Sequence, residues 1–139
     1  YSGVFLEQLE YLSKQDNPPR IFISTNGSGR KEKYWRKLAK LLKPRDVIEF
    51  AVDGLEDTNH IYRVNAKWDS IINGMRVVKE YGKCSVGWRF IVFEHNYHQV
   101  DEARQQAKLL HLDRFHVILG DNRTPDSMRL RSASFDDIS

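Results

Sequence analysis

The sequence predicts an α/β protein: a parallel sheet of about four strands alternating with four helices. Three observations lead there. Apolar residues switch repeatedly between helical and strand spacing along the chain. Proline, glycine and asparagine punctuate the switches. Strands that alternate with helices are joined by right-handed crossovers, which makes neighbouring strands parallel.

Each element has its own signal. Val4, Phe5, Leu9 and Leu12 recur at helical intervals, so a helix is expected over about 3–15. Asp16-Asn17-Pro18-Pro19 ends it, since proline has no N–H and restricts the residue before it. Ile21-Phe22-Ile23 reads as the first strand, and Thr25–Gly29 as a polar loop. Tyr34, Trp35, Leu38, Leu41 and Leu42 form one apolar stripe of a second helix that stops at Lys43-Pro44. Val47–Val52 is the second strand, and a long polar loop runs from Asp53 to Asn65. Trp68, Ile71, Ile72, Met75 and Val78 or Lys79 trace the third helix, with Gly82 as its stop. Val86–Phe93 is the third strand, and Val100, Ala103, Ala107 and Leu110 mark the fourth helix. Phe115–Leu119 is the fourth strand. The division expected is one α/β domain over 1–120 and a polar tail over 121–139, mobile or docked on a partner.

Composition narrows the function classes. A length of 139 residues fits one domain. A mean hydropathy of −0.60 and the lack of a long apolar run exclude a membrane-spanning helix. The net charge of +3 is too small to imply nucleic-acid binding by itself. The single cysteine, Cys84, excludes an intramolecular disulfide and any multi-cysteine metal site built from this chain alone. With no signal peptide and no paired cysteines, the cytoplasm is the expected location. The start at Tyr1-Ser2-Gly3, without Met, reads as that of a fragment.

In parallel α/β folds ligands sit beyond the carboxyl ends of the strands. The loops expected there are Thr25–Gly29, Asp53–Arg63 and Glu94–His98, all dense in hydrogen-bonding groups. The opposite loops, Gln15–Arg20, Lys43–Asp46, Gly82–Ser85 and Leu112–Arg114, look like plain connections. Asn26-Gly27 can turn sharply and expose backbone amides, and the Thr25 hydroxyl can donate to a carboxylate or phosphate. Asp53 can accept from ribose hydroxyls or an amine, against a plain Asx turn or helix cap. Arg63 offers a rigid fork for an anion, against a surface ion pair with Glu56 or Asp57. Asn96 suits a sugar or amide. Glu94, His95 and His98 lack the further ligand a metal site needs and read as a polar loop. The helix face around 31–43 is basic, with Glu32 its lone acid, and a solvated face is favoured over a nucleic-acid track. Cys84 reads as an inert, half-buried thiol.

Taken in order, several segments resemble the radical S-adenosylmethionine (radical SAM) enzymes. They are Thr25-Asn26-Gly27 after a strand, Phe50-Ala51-Val52-Asp53-Gly54-Leu55, His60-Ile61-Tyr62-Arg63 and Trp68–Gly74. Phe90–Phe93 followed by Asn96–Val100 fits the same pattern. Each motif is loose; their order and spacing over about 1–119 carry the resemblance. It implies part of a (β/α)6 partial TIM barrel. It also implies an oxidoreductase-like iron–sulfur enzyme, in which a [4Fe–4S] cluster chelates S-adenosylmethionine and reductive cleavage yields a 5′-deoxyadenosyl radical. By that resemblance Ser24, Thr25, Asn26, Asp53, Arg63 and Asn96 bind the cofactor, with no catalytic and no metal-ligating residue in this chain.

The departures from the family pattern shape the expectation. The CxxxCxxC cluster loop is absent, as is the glycine-glycine-glutamate segment that grips the cofactor's amine. Ala51 stands where many relatives carry serine. The chain is therefore expected to be the cofactor- and substrate-binding middle of such an enzyme, inactive alone, with an N-terminal cluster-binding part outside it. The alternative is a non-catalytic α/β module that binds a nucleotide or nucleic acid through the basic helix 31–43 and the Asp53–Arg63 loop. Val47, Phe50, Val86, Trp88, Phe90 and Val92 include residues that must face something other than water, and four strands of an open barrel leave two edges. Self-association through those edges, or docking of a missing N-terminal segment, is expected.

Overall fold

The computed structural model describes residues 2–57, 59 and 68–119. Helix α1 spans Ser2–Ser13, strand β1 Phe22–Thr25, helix α2 Glu32–Leu41 and strand β2 Val47–Ala51. Helix α3 spans Trp68–Tyr81 and strand β3 Ser85–Val92. A 3-10 turn over Tyr97–Gln99 leads into helix α4, Val100–Leu109, and strand β4, Arg114–Leu119, follows. The tail after 119 and the Arg63 segment lie outside the described residues.

The strands form one sheet in the order β1-β2-β3-β4, and every pair is parallel. The α/β alternation read from the sequence is thus present, with small shifts at the ends. The first strand begins at Phe22 and runs through Thr25 rather than covering Ile21–Ile23. Asp46 explains the late start: its Oδ1 accepts from the Ile21 amide at 2.8 Å, and its Oδ2 accepts from the Lys43 amide at 2.7 Å. The first helix ends at Ser13, whose hydroxyl donates to the Glu10 carbonyl at 2.7 Å.

Sequential order with right-handed crossovers puts the helices on one face of the sheet. The core is there. Ile48, Phe50 and Val52, then Val86, Trp88, Phe90 and Val92, then Phe115 and Val117, alternate along their strands and join one buried cluster with the helices. Trp35 of α2 meets Phe50 at 5.3 Å, Trp68 of α3 meets Trp88 at 6.4 Å, and Trp88 meets Phe115 at 5.7 Å between ring centroids. Val100, Ala103 and Ala107 line the buried side of α4. Gly74 lets α2 and α3 close: a Cβ there would stand 2.8 Å from the Trp35 indole.

Of the six apolar strand residues singled out above, Phe50, Val86, Trp88, Phe90 and Val92 are covered by the chain's own helices, whereas Val47 is buried on the opposite face. On the strands the exposed large apolar residue is Phe22 of β1, 59% exposed on the face opposite the described helices.

Candidate functional site

Because all four strands are parallel, their carboxyl ends share one edge. Thr25, Asp53 and Asn96 follow or end three adjacent strands there. The loops differ in what they offer a ligand.

The β1 loop is open. Ser24 and Asn26 are exposed, and Thr25 is half-buried. Thr25 Oγ1 accepts from the Gly27 amide at 3.1 Å, and Asn26 Oδ1 accepts from the Ser28 amide at 3.0 Å. These are successive side-chain turns of the kind Thr and Asn favour. Gly27 takes φ +76°, and a Cβ there would lie 3.0 Å from Phe50 and 3.2 Å from Ile71. Glycine is therefore required by both conformation and contact. A groove of about 490 Å³ runs beside this loop, lined by Phe5, Gln8, Ile23, Ser24, Thr25, Arg30 and Tyr34. Arg30 lies 4.6 Å above the Tyr34 ring on its wall.

The β2 and β3 loops are locked to each other. Asp53 and Asn96 are both 0% exposed. Asp53 Oδ1 accepts from the Ile91 amide at 2.8 Å, continuing the ladder after the Val52 amide donates to the Arg89 carbonyl. The Asp53 amide donates to Asn59 Oδ1 at 2.8 Å. Asn96 Nδ2 donates to the Asp53 and Ile91 carbonyls, each at 2.9 Å, and its Oδ1 accepts from the Phe93 amide at 2.7 Å. Gln99 adds two ties: its Oε1 accepts from the Leu55 amide at 3.1 Å, and its Nε2 donates to Asp57 at 2.7 Å. Asn96 thus spends its amide on backbone groups. It and Asp53 set the shape of the edge, whereas Ser24, Thr25 and Asn26 present groups at its surface. Arg63 lies outside the described residues.

A second polar group sits on the sheet face without helices. Glu49 of β2 is 4% exposed. Its Oε2 lies 3.2 Å from His116 Nδ1 of β4, and its Oε1 lies 3.9 Å from an Arg89 guanidinium nitrogen of β3. These three residues lie on strands, outside the loops singled out from the sequence. A signal was present: each is a charged or titratable residue inside an otherwise apolar strand run.

Metal chemistry has a clear address test here. Among the described residues no group of three or more His, Cys, Asp or Glu side chains is arranged to hold a metal ion. Cys84 is the chain's single cysteine, is buried, and precedes β3 at the opposite edge from the loops above. The described residues therefore offer no ligand group for an iron–sulfur cluster. Burial pushes the Cys84 thiol up from its ordinary 9.0 to about 11, which keeps it protonated and inert. No described helix is long and apolar enough to cross a membrane.

The fold and edge define a class: a one-sided parallel β/α sheet with a preformed polar rim at its carboxyl end. The chain matches no protein-family model and no curated protein.

Proposed function

We propose that this chain is the S-adenosylmethionine- and substrate-facing middle of a radical SAM enzyme, with the cluster ligands supplied by polypeptide outside it. The observation that supports the reading is the sequential parallel sheet with helices on one side and three polar loops on one edge. An open sheet of that order is what a segment of a β/α barrel would retain, since barrel helices all pack outside the strands. Thr25, Asp53 and Asn96, quoted above for the resemblance, follow or end three adjacent strands at that edge, which supports the reading.

In this reading the residues divide their work. Ser24, Thr25 and Asn26 bind the cofactor through hydroxyl, amide and turn groups. Asp53 and Asn96 position the neighbouring loops. When bound, the cofactor with its cluster supplies a carbon-centred radical; this chain's residues orient the bound molecules.

The test is a titration of the full chain with S-adenosylmethionine, followed by amide resonances. Saturable shifts at residues 24–29 and 53–57, weakened by Ser24→Ala with Thr25→Val, are the expected result. Shifts confined to other regions, or none at millimolar cofactor, would overturn the reading.

A further inference from the structure

The sheet face opposite the helices carries the charged group that the loop-edge site does not use. Glu49, Arg89 and His116 come from three adjacent strands. Glu49 pairs in register with Gly87, and Gly87 pairs with Arg114. Arg89 pairs with His116, two residues further on and on the same face. Gly87 is the reason these side chains meet. It leaves a bare floor on β3, over which the Glu49 carboxylate reaches toward β4. A Cβ at Gly87 would stand 3.8 Å from Glu49 Cγ and 3.2 Å from Arg114 Cβ.

Among the described residues this face carries one buried carboxylate, two arginines and a histidine. Glu49 sits beneath, with a side chain only 5% exposed, whereas those of Arg89 and His116 are each 29% exposed. Arg89 Nε is buried and finds no hydrogen-bond partner among the described residues. A guanidinium presents five donors in a planar fork, and this one keeps its inner N–H unspent. Neither the loop turns nor the helical core has a use for it.

We propose that Arg89, Arg114 and His116 bind the carboxylate or phosphate group of a small anionic ligand on the sheet face opposite the helices. Glu49 is the fixed counter-charge that orients Arg89 and His116 toward it. The inference rests on the proposed function only in taking this face as the inner wall of a barrel. The anion meets the exposed parts of the Arg89 and His116 side chains, and Ser24 and Ser85 flank the patch along the same face. A ligand held here would lie across the strands, close to the carboxyl-end loops.

The experiment uses the full chain, inorganic phosphate and succinate in separate titrations at constant ionic strength, and the arginine Nε–H resonances as the readout. A saturable shift of the Arg89 Nε–H resonance is expected with one or both anions, and the stronger arm identifies the ligand group. Arg89→Gln should weaken binding by about tenfold, the scale of one lost charge-assisted contact. Lys83→Gln, an exposed lysine before β3, should leave it unchanged. Should Arg89→Gln lose its folded amide dispersion, Arg114→Gln gives the same comparison from a residue at the cluster's rim. Absence of a saturable Arg89 shift with either anion overturns the proposal, as does equal affinity in wild type and the arginine variants. Neither titration contains S-adenosylmethionine, so failure here leaves the cofactor titration free to succeed, and the reverse.

Discussion

Replacing Asn96 with alanine separates a positioning role from a ligand contact. The side chain is fully buried and makes three hydrogen bonds to backbone: from the Phe93 amide, and to the Asp53 and Ile91 carbonyls. Each such bond contributes about 1 kcal/mol net, and a stranded buried amide adds further cost. Asn96→Ala should therefore lower the unfolding free energy by about 3 kcal/mol, a large share of a small domain's margin. In a chain of this length that corresponds to a fall in Tm of about 10 °C. Asn96→Asp should cost at least as much, because its second oxygen would face two carbonyls in place of the donated N–H groups. Urea denaturation followed by tryptophan fluorescence measures both. A loss below about 1 kcal/mol, within the range of one ordinary hydrogen bond, would refute the argument that Asn96 latches the β2 and β3 loops. A stable variant with weaker S-adenosylmethionine binding would instead make Asn96 a direct ligand contact.

Gly74→Ala should destabilise the chain by about 1–3 kcal/mol by overpacking the contact between α2 and α3; a melt unchanged from wild type would refute the 2.8 Å approach to Trp35. The Cys84 thiol, raised from 9.0 to about 11, should hold about a hundredfold less thiolate at neutral pH than an ordinary thiol and react with a disulfide reagent correspondingly slowly until unfolded. Its sign is that of an acid whose folded pKa is raised, so the stability from burying the neutral thiol is intact below pH 9 and declines between pH 9 and about 11; Cys84→Ala should flatten that part of the pH–stability curve. The edge strand β1 should pair with a second copy, giving a concentration-dependent mass in light scattering that Phe22→Lys abolishes, since a charge at an exposed strand blocks pairing. Short single-stranded DNA should bind weakly, with no change on Lys33→Gln plus Lys37→Gln; a steep salt-dependent affinity lost in that double variant would favour the nucleic-acid alternative.

The sequence disclosed element order well, because the apolar period in α2, α3 and β3 is clean. Trp35 and Leu38, Ile71, Met75 and Val78, and the alternation from Val86 to Val92 are all buried where the spacing expects them. The strand ends were less legible. Asp46 and Asp113 look like ordinary loop residues, yet each extends the ladder with a carboxylate: Asp46 at Ile21, and Asp113 Oδ2 at the Val86 amide, 2.8 Å away. No local pattern marks a side chain that substitutes for a backbone carbonyl. The site was legible as a set of loops and illegible in its division of labour. Asn96 and Ser24 look alike as polar residues at strand ends; one is fully buried and the other exposed. That difference is set in part by Asp53, 43 residues away, whose carbonyl accepts from the Asn96 amide.

The same comparison explains why the Glu49 group escaped a loop-based reading. β2 reads Val47-Ile48-Glu49-Phe50-Ala51, and all five are buried. A strand buried on both faces needs a reason to carry a carboxylate, because an unpaired buried charge is far costlier than a buried methyl group. Helices cover Ile48 and Phe50 on one face; the other face holds Val47, Glu49 and Ala51. Apolar side chains at 49, 89 and 116 would have been enough to close a hydrophobic face. The chain instead places a carboxylate, a guanidinium and an imidazole there, and uses Gly87 as the floor across which they meet. Packing alone gives no account of that choice; the anion site proposed above would.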